Sequence, residues 1–343
     1  MLRNFLKQDN FAIIYVLNNY VLLGATVKMG FVKKSFLFLI TSWVYADTAS
    51  LVLENDAMVG QDHHYTNGMY FAWMSERDTT FPDLLPFIDL EHKNVAFSIS
   101  HAIFTPENKD VRTRDLNDSP YAGYVALNML AYKSSANFFH EVGINVGMVG
   151  PSAQADTLQK SFHSLIGHDK PNGWDNQLDD EFTYGVSYNI GYKTDPISIQ
   201  DLSLDLTTHI KADLGNFYTG TLVGTSLRLS SIPMRSFITT GNFIGAHESS
   251  LLNYEPTKSF NWAVSLGVFY NKFNTYYIID EAIDEGYDLD KLDYMIGEKL
   301  ALDLFYDALK VSFYLKSIDV ETKGVTSSNN EKTGGISVVW KWD

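Results

Sequence analysis

The stretch that decides the fold runs Leu202-Ser203-Leu204-Asp205-Leu206-Thr207-Thr208-His209-Ile210-Lys211-Ala212-Asp213-Leu214. Even-numbered residues are almost all apolar, and odd-numbered residues are all polar. Successive side chains of a β-strand point to opposite faces, so this stretch predicts a strand with one apolar face and one polar face. A strand of a soluble sandwich also alternates, so one segment does not settle the class of protein.

The same alternation recurs along the chain in segments of about ten residues or more, the length of a membrane-crossing strand. Aromatic residues lie near the segment ends, and the second face is polar or small. After Asp47 no apolar run reaches the length of a transmembrane helix. We therefore predict an all-β fold, a twelve-stranded antiparallel transmembrane β-barrel with a short helix in one long loop; a soluble β-sandwich is the alternative. The predicted strands lie near 48–56, 66–77, 93–104, 122–133, 136–149, 182–194, 200–214, 218–230, 259–271, 298–307, 309–320 and 334–342.

The N-terminal region has the pattern of an export signal. In residues 29–46, Lys33 and Lys34 precede an apolar run. Small residues follow this run, and the last of them is Ala46. We expect a signal peptide over 29–46, cleavage before Asp47 and one barrel domain over 47–343. An uncleaved anchor is the alternative, although the run is short for a spanning helix. For residues 1–28 we expect an extension upstream of a true start at Met29, with a long signal n-region or a second anchor as alternatives.

Composition excludes several classes of function. The chain has 343 residues, no cysteine, 41 acidic against 26 basic side chains and a formal charge of −15. Without cysteine there is no disulfide, thiol nucleophile or thiolate metal site. An acidic surface opposes nucleic-acid binding, which needs a basic face. The aromatic content of 14% suits a large β protein or a membrane-interface belt.

One segment interrupts the strand pattern. Residues 151–167 predict a helix that opens near Pro151 and ends at Gly167. Gln159 and His163 are four residues apart and share a helix face. A loop helix that presents both suggests a general base with a positioning partner. The alternative is a surface helix whose histidine only caps or packs.

Two further clusters carry polar chemistry. Asn55 and Asp56 follow one another at a strand end, where both side chains can reach one site, and their oxygens suit Ca²⁺. His63 and His64 raise the possibility of zinc, but adjacent histidines diverge on a strand. A loop with Lys109, Arg112 and Arg114 in an acidic protein either neutralises a phosphorylated ligand or is simply solvated.

Taken together, the motifs resemble the lipid A 3′-O-deacylase family of Gram-negative outer membranes. They cover about residues 50–190 in order, and beyond 195 the resemblance rests mainly on the strand pattern. They are Asn55-Asp56, Tyr65-Thr66-Asn67-Gly68, Asp118-Ser119-Pro120-Tyr121-Ala122-Gly123, Gly147-Met148-Val149-Gly150-Pro151-Ser152-Ala153, Gln159 with His163 and Ile166-Gly167, and Gly173-Trp174 with Gln177-Leu178.

The resemblance implies calcium-dependent hydrolysis of the 3′-acyloxyacyl ester of lipid A by a barrel in the outer membrane. His163 is then the base that activates water, with Gln159 assisting it. Asn55, Asp56 and Thr66 line the reacting carbonyl, and Asn55 and Asp56 hold Ca²⁺. The substrate contacts implied are Lys109 and Arg112 near the phosphorylated glucosamine, and the family's acidic position falls on Asp169. Ser119 stands where many members have arginine, which affects head-group contacts.

The expected partners are lipopolysaccharide and the outer-membrane bilayer, with no nucleic acid and a monomeric chain. The sequence contains no Gly-x-Ser-x-Gly elbow, so the nucleophile is expected to be water. Two other functions are left open by the residues alone. One is an outer-membrane phospholipase, also a barrel hydrolase; the other is a passive porin or structural barrel, which has no use for a helix presenting Gln159 and His163.

Overall fold

The computed structural model describes residues 14–17, 20–23, 46–60, 64–109, 112–167, 171–241, 251–252, 254–319, 322–323 and 330–342. The chain divides into two compact units, Met1–Tyr45 and Ala46–Asp343. In the first unit, Ile14–Leu17 and Tyr20–Leu23 form a short antiparallel pair. The expected signal peptide lies outside the described residues except for Ala46, as does most of 1–28, so both remain predictions.

The second unit contains twelve long strands that pair antiparallel with their neighbours in chain order. They are β1 Ala46–Asn55, β2 His64–Ser75, β3 His92–Thr105, β4 Ala122–Ser134, β5 Phe138–Val149, β6 Glu181–Lys193, β7 Leu202–Gly215, β8 Tyr218–Ser230, β9 Thr257–Tyr276, β10 Tyr294–Asp307, β11 Leu309–Asp319 and β12 Asn330–Lys341.

Pairing of the last strand with the first closes the sheet into a barrel. β12 runs antiparallel to β1 in a register that places Gly334 opposite Asn55 and Trp340 opposite Ala49. Closure gives each of the twelve long strands a neighbour on both sides, which a strand protein in a membrane requires because lipid offers no hydrogen bonds. The prediction of a closed twelve-stranded barrel is confirmed.

The barrel is polar inside and apolar outside. On β7, Asp205 and His209 are buried, whereas Leu206 and Ile210 are more than a third exposed. β9 repeats the pattern, because its outward residues are apolar; these are Val264, Leu266, Val268 and Tyr270. A soluble sandwich buries its apolar face, so this inverted pattern excludes it and is typical of a barrel whose outer wall contacts lipid.

We call the end where β1 finishes at Asn55 the site end, and the opposite end, where β1 begins, the terminal end. Three turns at the site end are 3₁₀ helices, Asp56–Val59, Pro151–Ala153 and Trp174–Asn176. Two α-helices also lie in site-end loops, α1 Ala155–Ile166 and α2 Tyr277–Asp284. Within the described ranges, neither is long and apolar enough to cross a membrane.

The predicted loop helix is confirmed as α1, but it begins later than expected. Gln154 adopts a left-handed conformation (φ 59°) between the Pro151–Ala153 turn and α1. This residue breaks the helical path, so the predicted helix is divided into a short turn and a longer helix. Gly167 ends α1 in the left-handed conformation (φ 75°), as the sequence predicts. α2 was not predicted.

Segments of the chain pack against inward-facing residues at both ends of the lumen. Residues 232–241, which we call the plug, enter at the terminal end, where the ring centroid of Phe237 lies 4.9 Å from that of Phe139 on β5. At the site end, Ile278 and Ile279 of α2 are buried in an aromatic cluster that includes inward-facing Phe273 of β9. Between the plug and the barrel wall lies a cavity of about 80 Å³, large enough for several water molecules.

Candidate active site

The site-end rim brings together the strand ends and loops that carry the predicted residues. At Asn55 the chain leaves β1 and enters the Asp56–Val59 turn, whose first free amide, that of Ala57, donates to Asn55 Oδ1 (2.8 Å). Because the strand ends here, the side chains of Asn55 and Asp56 need not point to opposite faces. Asn55 is half-buried at the rim, and Asp56 is completely buried. The predicted strand end is therefore present.

Thr66 occupies an irregular position at the start of β2. Tyr65 pairs with Phe104 and Asn67 with Ile103, so the register of β2 against β3 shifts at Thr66. Such bulges re-aim side chains at sheet rims. The Thr66 hydroxyl lies 2.6 Å from that of Thr105, and both residues are buried.

Lys109 interacts electrostatically with Asp56 at this rim. Its backbone oxygen accepts hydrogen bonds from the amide of Asn172 (3.0 Å) and from the hydroxyl of Tyr121 (3.3 Å), which hold the loop in place. Burial lowers the pKa of Lys109 to about 8, while the negative charge of Asp56 acts in the opposite direction. The structure therefore places the ammonium group within electrostatic reach of Asp56.

The other two basic residues of that loop are arranged differently. Arg112 has an exposed side chain, and its backbone oxygen accepts from Asn176 Nδ2 (2.6 Å). Arg114 pairs with Glu285 just beyond α2 (2.6 Å). The structure thus leaves Arg112 exposed at the rim and engages Arg114 in a loop-to-loop ion pair. Asp169 lies outside the described residues, so its role remains a prediction.

α1 presents Gln159 and His163 from one face, as the four-residue spacing predicts. Gln159 is buried, and its Oε1 accepts a hydrogen bond from Trp174 Nε1 (2.8 Å). His163 lies one turn further along and is half-buried. A half-buried imidazole next to a buried amide has the chemistry of a base with a polar neighbour.

The beginning of α1 is fixed to the barrel wall by close packing at Gly123 of β4. A Cβ atom at Gly123 would lie 2.5 Å from the Cβ of Ala155, which explains why glycine is needed there. His101 Nε2 of β3 donates to the backbone oxygen of Ala153 (2.9 Å) just before the helix. These contacts fix the height of α1, and therefore of Gln159 and His163, above the rim.

Tyr121 and Trp174 connect the two halves of the site. Their ring centroids are 4.9 Å apart, and Leu178 N donates to the backbone oxygen of Tyr121 (2.9 Å). Tyr121 thus contacts the Lys109 loop on one side and Trp174 on the other. The sequence predicts no role for either aromatic or for Thr105. The only signal for the two aromatics was their place in the ordered motifs, since both contacts join distant segments.

The chemical type of the oxygen donors at this rim fits calcium. Asp56 offers a buried carboxylate, Asn55 an amide oxygen and Thr66 a hydroxyl, all hard oxygen ligands. Asn55 Oδ1 also caps the 3₁₀ turn, which uses part of its accepting capacity. Across the described ranges, no group of three or more His, Asp or Glu gathers as a metal cluster. Backbone carbonyls and water would complete the ligand sphere, which Ca²⁺ accepts.

The histidine pair does not add a metal centre to the described part of the chain. His64 begins β2, and His63 lies outside the described residues. The site end therefore contains a buried carboxylate that interacts with a lysine, and two threonine hydroxyls within hydrogen-bond distance of each other. It also contains the face of α1 that carries a glutamine and a histidine, and this helix packs against the barrel wall.

Comparison with known proteins decides the family. A family model described as outer membrane protein LpxR matches residues 31–342, nearly the whole chain. The chain belongs to the LpxR family. This is the lipid A 3′-O-deacylase family that the motifs between about 50 and 190 resemble. Membership places the LpxR-family barrel in the outer membrane and confirms the expected location.

The fold agrees with that of a solved LpxR-family member. LpxR from Salmonella typhimurium superposes with a TM-score of 0.71 at 15% identity, over 86% of this chain and all of that one. The β domain of the Bordetella autotransporter BrkA gives 0.44 at 6% identity, over 87% of this chain and 99% of that one. The KdgM porin in complex with disordered oligogalacturonate gives a TM-score of 0.38 at 7% identity, over 86% of this chain and 99% of that one. No curated protein matches the sequence.

Proposed function

We propose that the protein is an outer-membrane carboxylic ester hydrolase that removes the 3′-linked acyloxyacyl group from lipid A by calcium-dependent, histidine-assisted attack of water. Membership of the LpxR family supports lipid A deacylation by this chain. The observation that carries the finer proposal is the chain of contacts from Gln159 through Trp174 and Tyr121 to Lys109, beside Asp56. These contacts connect the face of α1 that carries the predicted base to the buried carboxylate of Asp56.

The chemistry follows from the residue types. His163 takes a proton from a water molecule, and the water oxygen forms a bond to the ester carbonyl carbon. The carbon–oxygen bond to the sugar then breaks, and the sugar oxygen receives the proton that His163 holds. The products are the free 3′-hydroxyl and the acyloxyacyl carboxylic acid. Histidine suits this role because its ordinary pKa is near neutral pH.

Negative charge develops on the carbonyl oxygen during the attack. Gln159 can donate to that oxygen from its amide nitrogen, and Thr66 adds a hydroxyl at the rim. Asp56 and Asn55 would hold the calcium ion, which when bound supplies a positive charge beside the carbonyl. Lys109 and Arg112 would contact the phosphate of the glucosamine, and Asp169 is proposed as a further substrate contact.

The test is mass spectrometry of lipid A from cells that express the wild-type protein or His163→Ala. Wild type should give lipid A lighter by the 3′ acyloxyacyl group, and His163→Ala should leave lipid A intact. Ser164→Ala, an exposed neighbour on α1, is the matched control and should behave as wild type. Full activity of His163→Ala would exclude histidine-assisted attack.

A second assay with purified protein in detergent separates calcium dependence from the choice of substrate. Chelator should abolish release of the acyl group, and added Ca²⁺ should restore it. Phospholipid offered beside lipid A should not be cleaved; cleavage of phospholipid alone would instead indicate a phospholipase. Activity that survives chelation would remove calcium from the mechanism and leave the histidine role to be judged by His163→Ala.

A further inference from the structure

The hydrogen bond between Trp174 and Gln159 determines how the glutamine amide is turned. An indole nitrogen can donate a hydrogen bond but cannot accept one. The atom 2.8 Å from Trp174 Nε1 must therefore be the amide oxygen of Gln159, which fixes the amide nitrogen on the opposite side. Without this contact the amide could rotate by half a turn with little change in packing.

The amide nitrogen of Gln159 has no acceptor in the part of the chain that the structure describes. Gln159 is only 4% exposed, so this donor is withheld from bulk water as well. A buried donor without an acceptor is costly, and native proteins tolerate few of them. Such a donor on the same helix face as His163 is therefore suited to meet an oxygen of the substrate.

Trp174 is itself held firmly. It is 2% exposed and packs with Ile103, Tyr121 and Ala155. A Cβ at Gly173 would lie 2.3 Å from the Tyr121 ring, so only glycine lets the Tyr121 and Trp174 rings come this close. The indole is therefore a rigid reference point against which the Gln159 amide is oriented.

We propose that Trp174 is a positioning residue that acts through Gln159, turning its amide nitrogen toward the carbonyl oxygen of the bound ester. This role of Trp174 rests on the proposed ester hydrolysis, and it adds the residue that orients the amide nitrogen of Gln159. The orientation matters because the amide oxygen, if turned to that place, would repel the negative charge that develops during attack. Trp174 contacts neither water nor ester in this role.

The test compares Trp174→Phe with wild type on lipid A in detergent micelles. Phenylalanine keeps a ring against Tyr121 but has no N–H donor. We expect kcat to fall about tenfold, as the loss of one directed hydrogen bond in the transition state implies, with KM and melting temperature near wild type. Gln159→Glu keeps an acceptor for Trp174 and loses the donor, so its kcat should fall at least as far.

A double variant separates positioning from simple packing. If Trp174 acts only through Gln159, Trp174→Phe should cause no further loss of kcat in a Gln159→Ala background. Unchanged kcat in Trp174→Phe, a further loss in the double variant, or a fall in melting temperature with unchanged kcat of the folded protein would each overturn the proposal. A wild-type protein that releases no acyl group would refute the proposed function, and the positioning role with it.

Discussion

Arg228 and Asp205 form a bidentate ion pair inside the barrel. The guanidinium Nε and Nη2 donate to the two carboxylate oxygens at 2.9 and 3.0 Å, and both side chains are at most 2% exposed. Nη2 also donates to the backbone oxygen of Ser236 (2.8 Å) in the plug. The pair joins adjacent strands β7 and β8 and attaches the plug to them.

Removal of one partner of this pair should be costly. In Asp205→Ala the buried guanidinium loses its counter-charge, so we expect the free energy of unfolding to fall by about 3–5 kcal/mol. The double variant Asp205→Leu, Arg228→Met removes both charges and should lose less. Urea unfolding in detergent measures both values. An equal or larger loss in the double variant would show that the apolar replacements do not fit.

The plug and α2 should close the lumen in series. Because either closure alone blocks the path of ions, the wild-type protein should not conduct in planar bilayers. A variant without residues 232–241 and a variant with 277–284 replaced by a glycine–serine linker should each stay closed. Combining the two changes should open a channel. Arg235→Ala, at an exposed plug residue, is the control. Steady conductance of wild type would favour the porin alternative.

The contact between Gly123 and Ala155 should control activity without controlling the fold of the barrel. In Gly123→Ala the new Cβ would lie 2.5 Å from the Cβ of Ala155, so α1 must move outward with Gln159 and His163. A displacement of about 1 Å is enough for a loss of activity on the order of 100-fold. Lipid A deacylation measures the loss, and circular dichroism checks the barrel.

A compensating change tests the cause of that loss. Adding Ala155→Gly removes the clashing methyl group and should restore much of the activity, at the cost of about 1 kcal/mol of helix stability. No recovery in the double variant would mean that the β4 strand, and not the position of α1, is disturbed by the first change.

The stability of α2 should depend on pH through Glu281. Burial raises the pKa of Glu281, and the negative charges of Glu285 and Asp284 raise it further. A carboxyl whose pKa is higher in the folded state binds protons more readily there. Its stabilising contribution is therefore complete below the ordinary value of 4.5 and is lost as the pH rises through the raised value.

Hydrogen exchange tests this dependence. After correction for intrinsic rates, α2 amides should be better protected at pH 5 than at pH 7. Glu281→Gln should improve protection at pH 7 by a few-fold, because one repelling charge is gone. The amides of α1 serve as the internal control. Equal protection of α2 at both pH values in the wild-type protein would contradict the argument.

Much of the barrel could be predicted because its signal is local. Each strand appears in the sequence as alternation between lipid-facing and lumen-facing residues, so all twelve were located from their own residues. The largest errors were at β9, β10 and β12. These strands extend to Tyr276, from Tyr294 and from Asn330, beyond the predicted 259–271, 298–307 and 334–342. Of the added residues, Phe273, Tyr276 and Met295 belong to a packed cluster. Alternation near loops is hard to recognise.

The sequence suggested candidate site residues but not the contacts that connect them. His163 and Gln159 share a helix face because of their spacing, and the turn after Asn55 was expected from a strand end. The pairing of Thr66 with Thr105, and of Gln159 with Trp174, joins segments 39 and 15 residues apart that have no common periodicity. Similarly, no local pattern in the predicted loop 231–258 indicated that residues 232–241 enter the lumen.

The sequence by itself therefore determined the strand count, the inverted polarity and the helix that bears the candidate base, because each follows from side chains a few residues apart. Only the tertiary structure decided that residues 232–241 and α2 pack inside the barrel, that Lys109 interacts with Asp56, and that Trp174 donates to the Gln159 amide oxygen. These depend on closure of the sheet and on packing between loops, which bring together residues that no spacing in the chain relates.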